Sequence, residues 1–184
     1  MFAGPDAVVD QQPDVDRPLI QGGRERGLAL HKLLEEILTG ETPEAQDALQ
    51  ARAAELLAQI GVADNADPAD GPCSVEMAAS TLRGLGLPEI VALRPRLQSE
   101  VPVYGSKVDG MTMELTSGVA DAVAIAGDGK IEAVIDWKSD VDPDPALVEF
   151  YRGQVRDYLA ATKAPKGLIV FLTLGRVEKV APNP

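Results

Sequence analysis

Residues 118–140 read GVADAVAIAGDGKIEAVIDWKSD, two runs of Val, Ile and Ala on either side of Gly127-Asp128-Gly129. β-Branched residues favour the pleated backbone, and a Gly-Asp-Gly between such runs favours a tight reversal. The stretch therefore predicts a hairpin of strands 112–126 and 130–137. Side chains alternate along a strand, so Asp136 and Lys138 leave one face while Ile135 and Trp137 leave the other. Asp121, on the neighbouring strand, reaches the same pair across the ladder. Two adjacent carboxylates repel unless a shared proton or a bound cation intervenes. Hard oxygen donors suit Mg²⁺ or Mn²⁺, with substrate phosphate completing the shell. Lys138 beside such an ion would orient or deprotonate a water for in-line attack on phosphorus. A plain strand-end charge pair is the competing reading of Asp136 and Lys138.

Downstream, the spacing predicts a helix over 145–162 and then an apolar strand over 167–174, buried on both faces. Gln154 and Tyr158 lie four apart and share a helix face close to Arg152 and Arg156, a set suited to donating hydrogen bonds to phosphate. The same pair also reads as a packed face continuing from Leu147 and Tyr151. Asp140, Asp142 and Asp144 imitate half of a calcium loop, but Pro145 stands where a glycine is required and Tyr151 where a bidentate Glu belongs.

Upstream, a strand over 97–104 carries Glu100, a further carboxylate. Leu28, Leu30, Leu34, Ile37 and Leu38 recur at helical spacing over 24–38, with Gly40 as a stop and His31 inside the helix. A second helix is expected over 42–61 with Pro43 in its first turn, and a third over 74–85 with Ser74 as its N-cap. Residues 1–22 are rich in Pro, Asp, Gln and Gly without a period and read as a flexible lead-in. Sequence alone does not bring His31 or Glu100 to the carboxylate pair.

The chain has 184 residues with a formal net charge of −12, enough length for one domain with a substantial core. Acidity concentrates in residues 1–70, so the second half is close to balanced and need not repel a polyanion. Cys73 is the only cysteine, which excludes a disulfide scaffold and an iron–sulfur cluster and fits a reducing, cytoplasmic compartment. The N-terminus has no basic patch followed by an apolar run, and no stretch approaches the ~20 residues that span a bilayer. No nucleophile elbow accompanies the single histidine, His31, so a Ser-His-Asp hydrolase has little support.

Taken in order, Arg26-Gly27 with His31 in RGLALHKLLEEIL, Glu100 in SEVPVYG, Asp121 in GVAD, Asp136-Trp137-Lys138-Ser139-Asp140, and Gln154 with Tyr158 in QVRDY carry a resemblance. The chain resembles the RecB-type branch of the PD-(D/E)XK nuclease superfamily, most of all the nuclease domain that ends AddA-type helicase–nucleases. The resemblance implies a restriction-endonuclease-like α/β fold. Its αβββαβ core would have a central mixed sheet flanked by helices, and an N-terminal helical lobe would deliver His31. It implies a single nuclease domain over 23–184, with a helical part at 23–95 and a sheet core at 96–184. His31, Asp121, Asp136 and the main-chain carbonyl of Trp137 would hold Mg²⁺ or Mn²⁺, Lys138 would serve the hydrolytic water, and Gln154 and Tyr158 would contact DNA. Glu100 matches a less sharply defined motif. The implied substrate is DNA, single-stranded and fed by a helicase motor in repair or recombination, degraded exonucleolytically or by an endonuclease. A phosphate loop of the G-x-x-x-x-G-K-[ST] kind does not occur, so a free-standing relative or an excised domain is expected. The rival reading is a catalytically inactive nuclease-like scaffold or DNA-binding module.

Overall fold

A computed structural model describes residues 19–109 and 112–183, with the side chains of 106–116 left aside; most of the expected lead-in, residues 1–18, lies outside the described residues. Four helices come first: α1 (Arg24–Thr39), α2 (Gln46–Gln59), α3 (Ser74–Leu85) and α4 (Pro88–Leu93). Three strands follow, β1 (Leu97–Asp109), β2 (Thr112–Ile125) and β3 (Ile131–Lys138), then α5 (Pro145–Thr162), β4 (Gly167–Phe171) and β5 (Arg176–Val180). The strands lie in sequence order in one sheet; β3 and β4 run parallel, joined by the α5 crossover, and every other pair is antiparallel. This is the expected restriction-endonuclease-like arrangement, with β5 added at the edge.

Each face of the sheet covers a core. On one side Leu30, Leu33 and Leu34 of α1 pack with Leu49, Leu57, Met77, Ile90, Ile135 and Trp137. On the other, Val148, Val155 and Leu159 of α5 pack with Val123, Val134, Ile169 and Phe171. β4 is buried at all its positions, as its unbroken apolar run requires between two helical layers. α5 begins at Asp144, whose side chain accepts from the Leu147 amide, with Pro145 in the first turn.

The long β1–β2 pair changes sides partway. Leu97, Ala122 and Ala124 belong to the first core, whereas Val103 and Ala120 belong to the second. Period-2 alternation would keep Leu97 and Val103 on one side. Both strands break it at the same point, where Glu100 takes a left-handed backbone with φ 52° and the ladder skips the bridge between Glu100 and Asp121. Beyond that point the two strands form an arm that leaves β3 and lies against α5.

Local differences from the sequence reading have tertiary causes. α2 starts at Gln46, because Thr42 is drawn back to α1, where its hydroxyl donates to Glu36 Oε2 at 2.7 Å. Ser74 is the first helical residue rather than the cap; Asp64, from the preceding loop, accepts from both its amide and its hydroxyl at 2.7 Å. The strand after α5 ends at Phe171, and the turn through Gly175, at φ 61°, returns the chain as β5. Among the described residues no helix is long and apolar enough to cross a membrane.

Arg52 of α2 grips Glu36 of α1 through Nε and Nη2 at 2.8 and 2.7 Å, and Glu36 is buried. Its carboxyl is held below the usual range by Arg52, against the upward pull of burial and with help from Thr42. A depressed carboxyl contributes stability above its unfolded value and loses it as pH falls through the folded value. Glu36→Gln is therefore expected to cost about 3 kcal/mol at neutral pH, with the gap to wild type closing in acid. Urea melts of both proteins at neutral and acid pH check this.

Candidate active site

The site forms where β2 leaves β3. Their ladder ends at Ala122 and Ile135, one residue short of Asp121 and Asp136. Val134 donates to the Lys166 carbonyl and Leu172 to that of Lys138, so even-numbered residues of β3 face β4 and the backbone of Trp137 faces the departing β2. The Trp137 amide finds the Asp121 side chain instead of a backbone partner, donating to Oδ2 at 2.8 Å. A buried amide has to be satisfied, and here a carboxylate does it. The Trp137 ring goes to the opposite side, 1% exposed in the first core, and is a core residue.

Asp136 is almost fully buried, with Lys138 Nζ 3.0 Å from Oδ1 and 2.9 Å from Oδ2. Only the Oδ1 contact has hydrogen-bond geometry, which leaves Oδ2 a buried acceptor without a donor. Lys138 is further held by Gln154 Oε1 at 3.5 Å and by the Tyr151 ring, whose centroid is 4.2 Å away. The Tyr151 hydroxyl donates to Asp140, and burial with that carboxylate pushes it up to about 12.

α1 crosses this end of the sheet. His31 Nδ1 lies 3.5 Å from Asp121 Oδ1. Burial pulls the imidazole down, but Asp121, helped by Asp136, outweighs it, and the net shift is upward from 6.5. The opposite balance holds at Asp121: burial pushes it up, while His31, the Trp137 amide and Lys138 hold it below the usual range. Asp136 is raised to about 7, by burial first and by Asp121, with Lys138 opposing. Glu100, an exposed residue, stands across the β1–β2 ladder from Asp121; desolvation, Asp121 and Glu35 raise its carboxyl. A cleft of about 600 Å³ opens alongside, lined by His31, Lys138, Gly23, Gly27, Asp140 and Tyr151.

His31, Asp121, Asp136, Lys138 and Gln154 are thus brought together, with Glu100 across the ladder from Asp121. Tyr158 stands one turn beyond Gln154 and donates to the Val119 carbonyl at 3.1 Å, tying α5 to the β2 arm. Arg152 and Arg156 turn away, held by Glu149 at 2.9 and 2.8 Å, and Arg152 also pairs with Glu178 of β5. Two contributors had no assigned role in the sequence reading. Tyr151 is the floor under Lys138. Arg26, 1% exposed, donates to the Ser139 carbonyl at 2.7 Å and to Glu76 at 2.9 and 2.7 Å. The available signal was the Arg26-Gly27 pair itself, already part of the motif that carries His31.

The donor set fits a hard divalent ion: two carboxylates, one imidazole and a strand-end carbonyl, with one carboxylate oxygen lacking a donor. Among the described residues, however, no three His, Cys, Asp or Glu side chains stand around a common point. The donors form two adjoining pairs, His31–Asp121 and Lys138–Asp136, each neutralising itself.

A buried Asp–Lys pair at a strand end, with a second Asp on the neighbouring strand in a mixed sheet, is the layout of a nuclease-type hydrolase. The chain belongs to the PD-(D/E)XK nuclease superfamily, whose family model matches residues 9–174. No curated protein matches it. Among solved structures it is similar to SSO0001, at 20% identity and a TM-score of 0.42, over 88% of this chain and 80% of that one.

Because Asp121 is what holds the imidazole up, Asp121→Asn is expected to drop the His31 pKa, leaving burial unopposed by its main partner. The amide oxygen still accepts from Trp137, so the strand end survives. His31 is the only histidine, and its proton NMR titration reads the change directly.

Proposed function

We propose that this chain is a Mg²⁺- or Mn²⁺-dependent deoxyribonuclease that hydrolyses phosphodiester bonds, with Asp121, Asp136 and Lys138 as its catalytic residues. The buried Asp136–Lys138 pair at the end of β3, abutted by Asp121 and His31, carries this reading. Superfamily membership supports DNA as the substrate and a divalent ion as the cofactor. His31, Asp121, Asp136 and the Trp137 carbonyl would hold the ion. When bound, a divalent ion polarises the phosphate and offsets charge on the leaving oxygen.

The chain's own groups do the rest. Lys138 Nζ, fixed between Asp136, Gln154 and the Tyr151 ring, orients the attacking water and offsets charge developing on the phosphoryl oxygens. Gln154 turns Oε1 toward Lys138, which leaves Nε2 to donate to a phosphate oxygen. Tyr158 holds the β2 arm beside the substrate path. Arg152 and Arg156 would bind phosphate only after their pairs with Glu149 and Glu178 open. The ordered motifs from Arg26 to Tyr158 support a RecB-type enzyme like the nuclease domain of AddA-type helicase–nucleases. Such an enzyme degrades single-stranded DNA delivered by a helicase motor during repair in the cytoplasm.

End-labelled single-stranded DNA with Mg²⁺, Mn²⁺ or EDTA tests this. Cleavage is expected only with an ion. Lys138→Ala is expected to lower turnover by roughly 100-fold or more while keeping the ion-induced rise in melting temperature; Asp136→Ala is expected to lose both. A wild-type protein that binds DNA but leaves it intact at every ion concentration is a nuclease-like scaffold, and the enzyme assignment falls.

A further inference from the structure

We infer that Arg26 and Gly27 are positioning residues that set where His31 stands over Asp121. The rate effects given below rest on the nuclease reading; the geometry does not.

Residues four apart share a helix face, so Gly27, His31 and Glu35 form one stripe of α1. That stripe meets the strand ends in turn. A Cβ on Gly27 would fall 2.9 Å from Ser139 Oγ and 4.0 Å from Ser139 Cβ, so α1 touches the chain immediately after Lys138 and an added methyl has to displace that hydroxyl. One turn on, roughly 6 Å along the axis, His31 Nδ1 stands 3.5 Å from Asp121 Oδ1. A rod resting on these supports moves as a unit: lifting it at Gly27 withdraws His31.

Arg26 fixes the near end of the rod. Its Nη1 donates to the Ser139 carbonyl at 2.7 Å, Nε and Nη2 to Glu76 of α3 at 2.9 and 2.7 Å, and Nη2 also to Thr173 Oγ1 at 3.0 Å. Thr173 in turn donates to the same Ser139 carbonyl at 3.1 Å. One guanidinium therefore joins α1, α3 and the chain just beyond β3 and β4. Gly23, the N-cap of α1, has no side chain to cap with, and Arg26 ties the first turn to its neighbours. A buried ion pair is a costly way to gain stability, and well-packed apolar groups do as well or better. What the planar fork adds is direction, since it satisfies acceptors on separate elements at once.

The test uses Gly27→Ala, Arg26→Lys and the double variant Gly27→Ala/Ser139→Ala, each checked for fold by circular dichroism. His31 being the sole histidine, its ring resonances need no assignment. In folded Gly27→Ala and Arg26→Lys they are expected to move toward the positions seen in Asp121→Asn. Mg²⁺-dependent cleavage is expected to fall about tenfold. Removing the Ser139 hydroxyl is expected to restore both readouts in the Gly27→Ala protein. In a His31→Ala background neither variant is expected to lower the rate further. Ring resonances that stay at their wild-type positions in folded variants overturn the proposal. A wild-type protein that does not cleave removes the nuclease reading, and the resonances still decide this one. Should Arg26→Lys not fold, Gly27→Ala and its compensated partner decide alone, since alanine is a good helix former.

Discussion

The hydrogen bond from the Trp137 amide to the Asp121 carboxylate is the hinge of the molecule. A strand whose neighbour departs leaves its amides without partners, and burial makes that costly. By supplying a side-chain acceptor at the first unpaired position, Asp121 lets β2 turn away from β3 without that loss. The departing arm then packs on α5, and the end of β3 is left open to α1. The carboxylate that closes the ladder is also the one His31 approaches, so the fold's local solution and the site's charge arrangement are one object.

Charge at the site is balanced in pairs. His31 answers Asp121, Lys138 answers Asp136, and Arg26 answers Glu76. This reconciles a chain of net charge −12 with a polyanionic substrate. The acidic excess lies mostly in residues 1–70, while the arginines of α5 are occupied by Glu149 and Glu178. Asp136, buried with one oxygen lacking a donor, is the least satisfied group in the set.

Much of this was legible before any coordinates. The Val- and Ile-rich runs around Gly127 marked β2 and β3, and α1, α3 and α5 lie within a residue or two of their periodic stretches because their apolar stripes are long. Asp136 and Lys138 followed from period 2 alone. α4 and β5 escaped because six and five residues are too few to show a period. The cap of α3 was misread because Asp64, ten residues away, supplies it. The direction of Arg152 and Arg156 was hidden for a related reason. Helix spacing shows which residues share a stripe but not which stripe faces the site, and the acids that claim these arginines lie partly on β5. Nor does any local pattern announce that β1 and β2 will change sides together at Glu100 and Asp121.

The reach of Arg26 to Ser139 spans 113 residues. Closing so long a loop costs chain entropy before the contact returns anything. The β1–β2 arm, by contrast, joins neighbours in sequence. A copy whose first helix has peeled off keeps Asp136 and Lys138 on β3 yet has no imidazole over Asp121. Half of the site's charge arrangement is thus only as durable as the docking of one N-terminal helix.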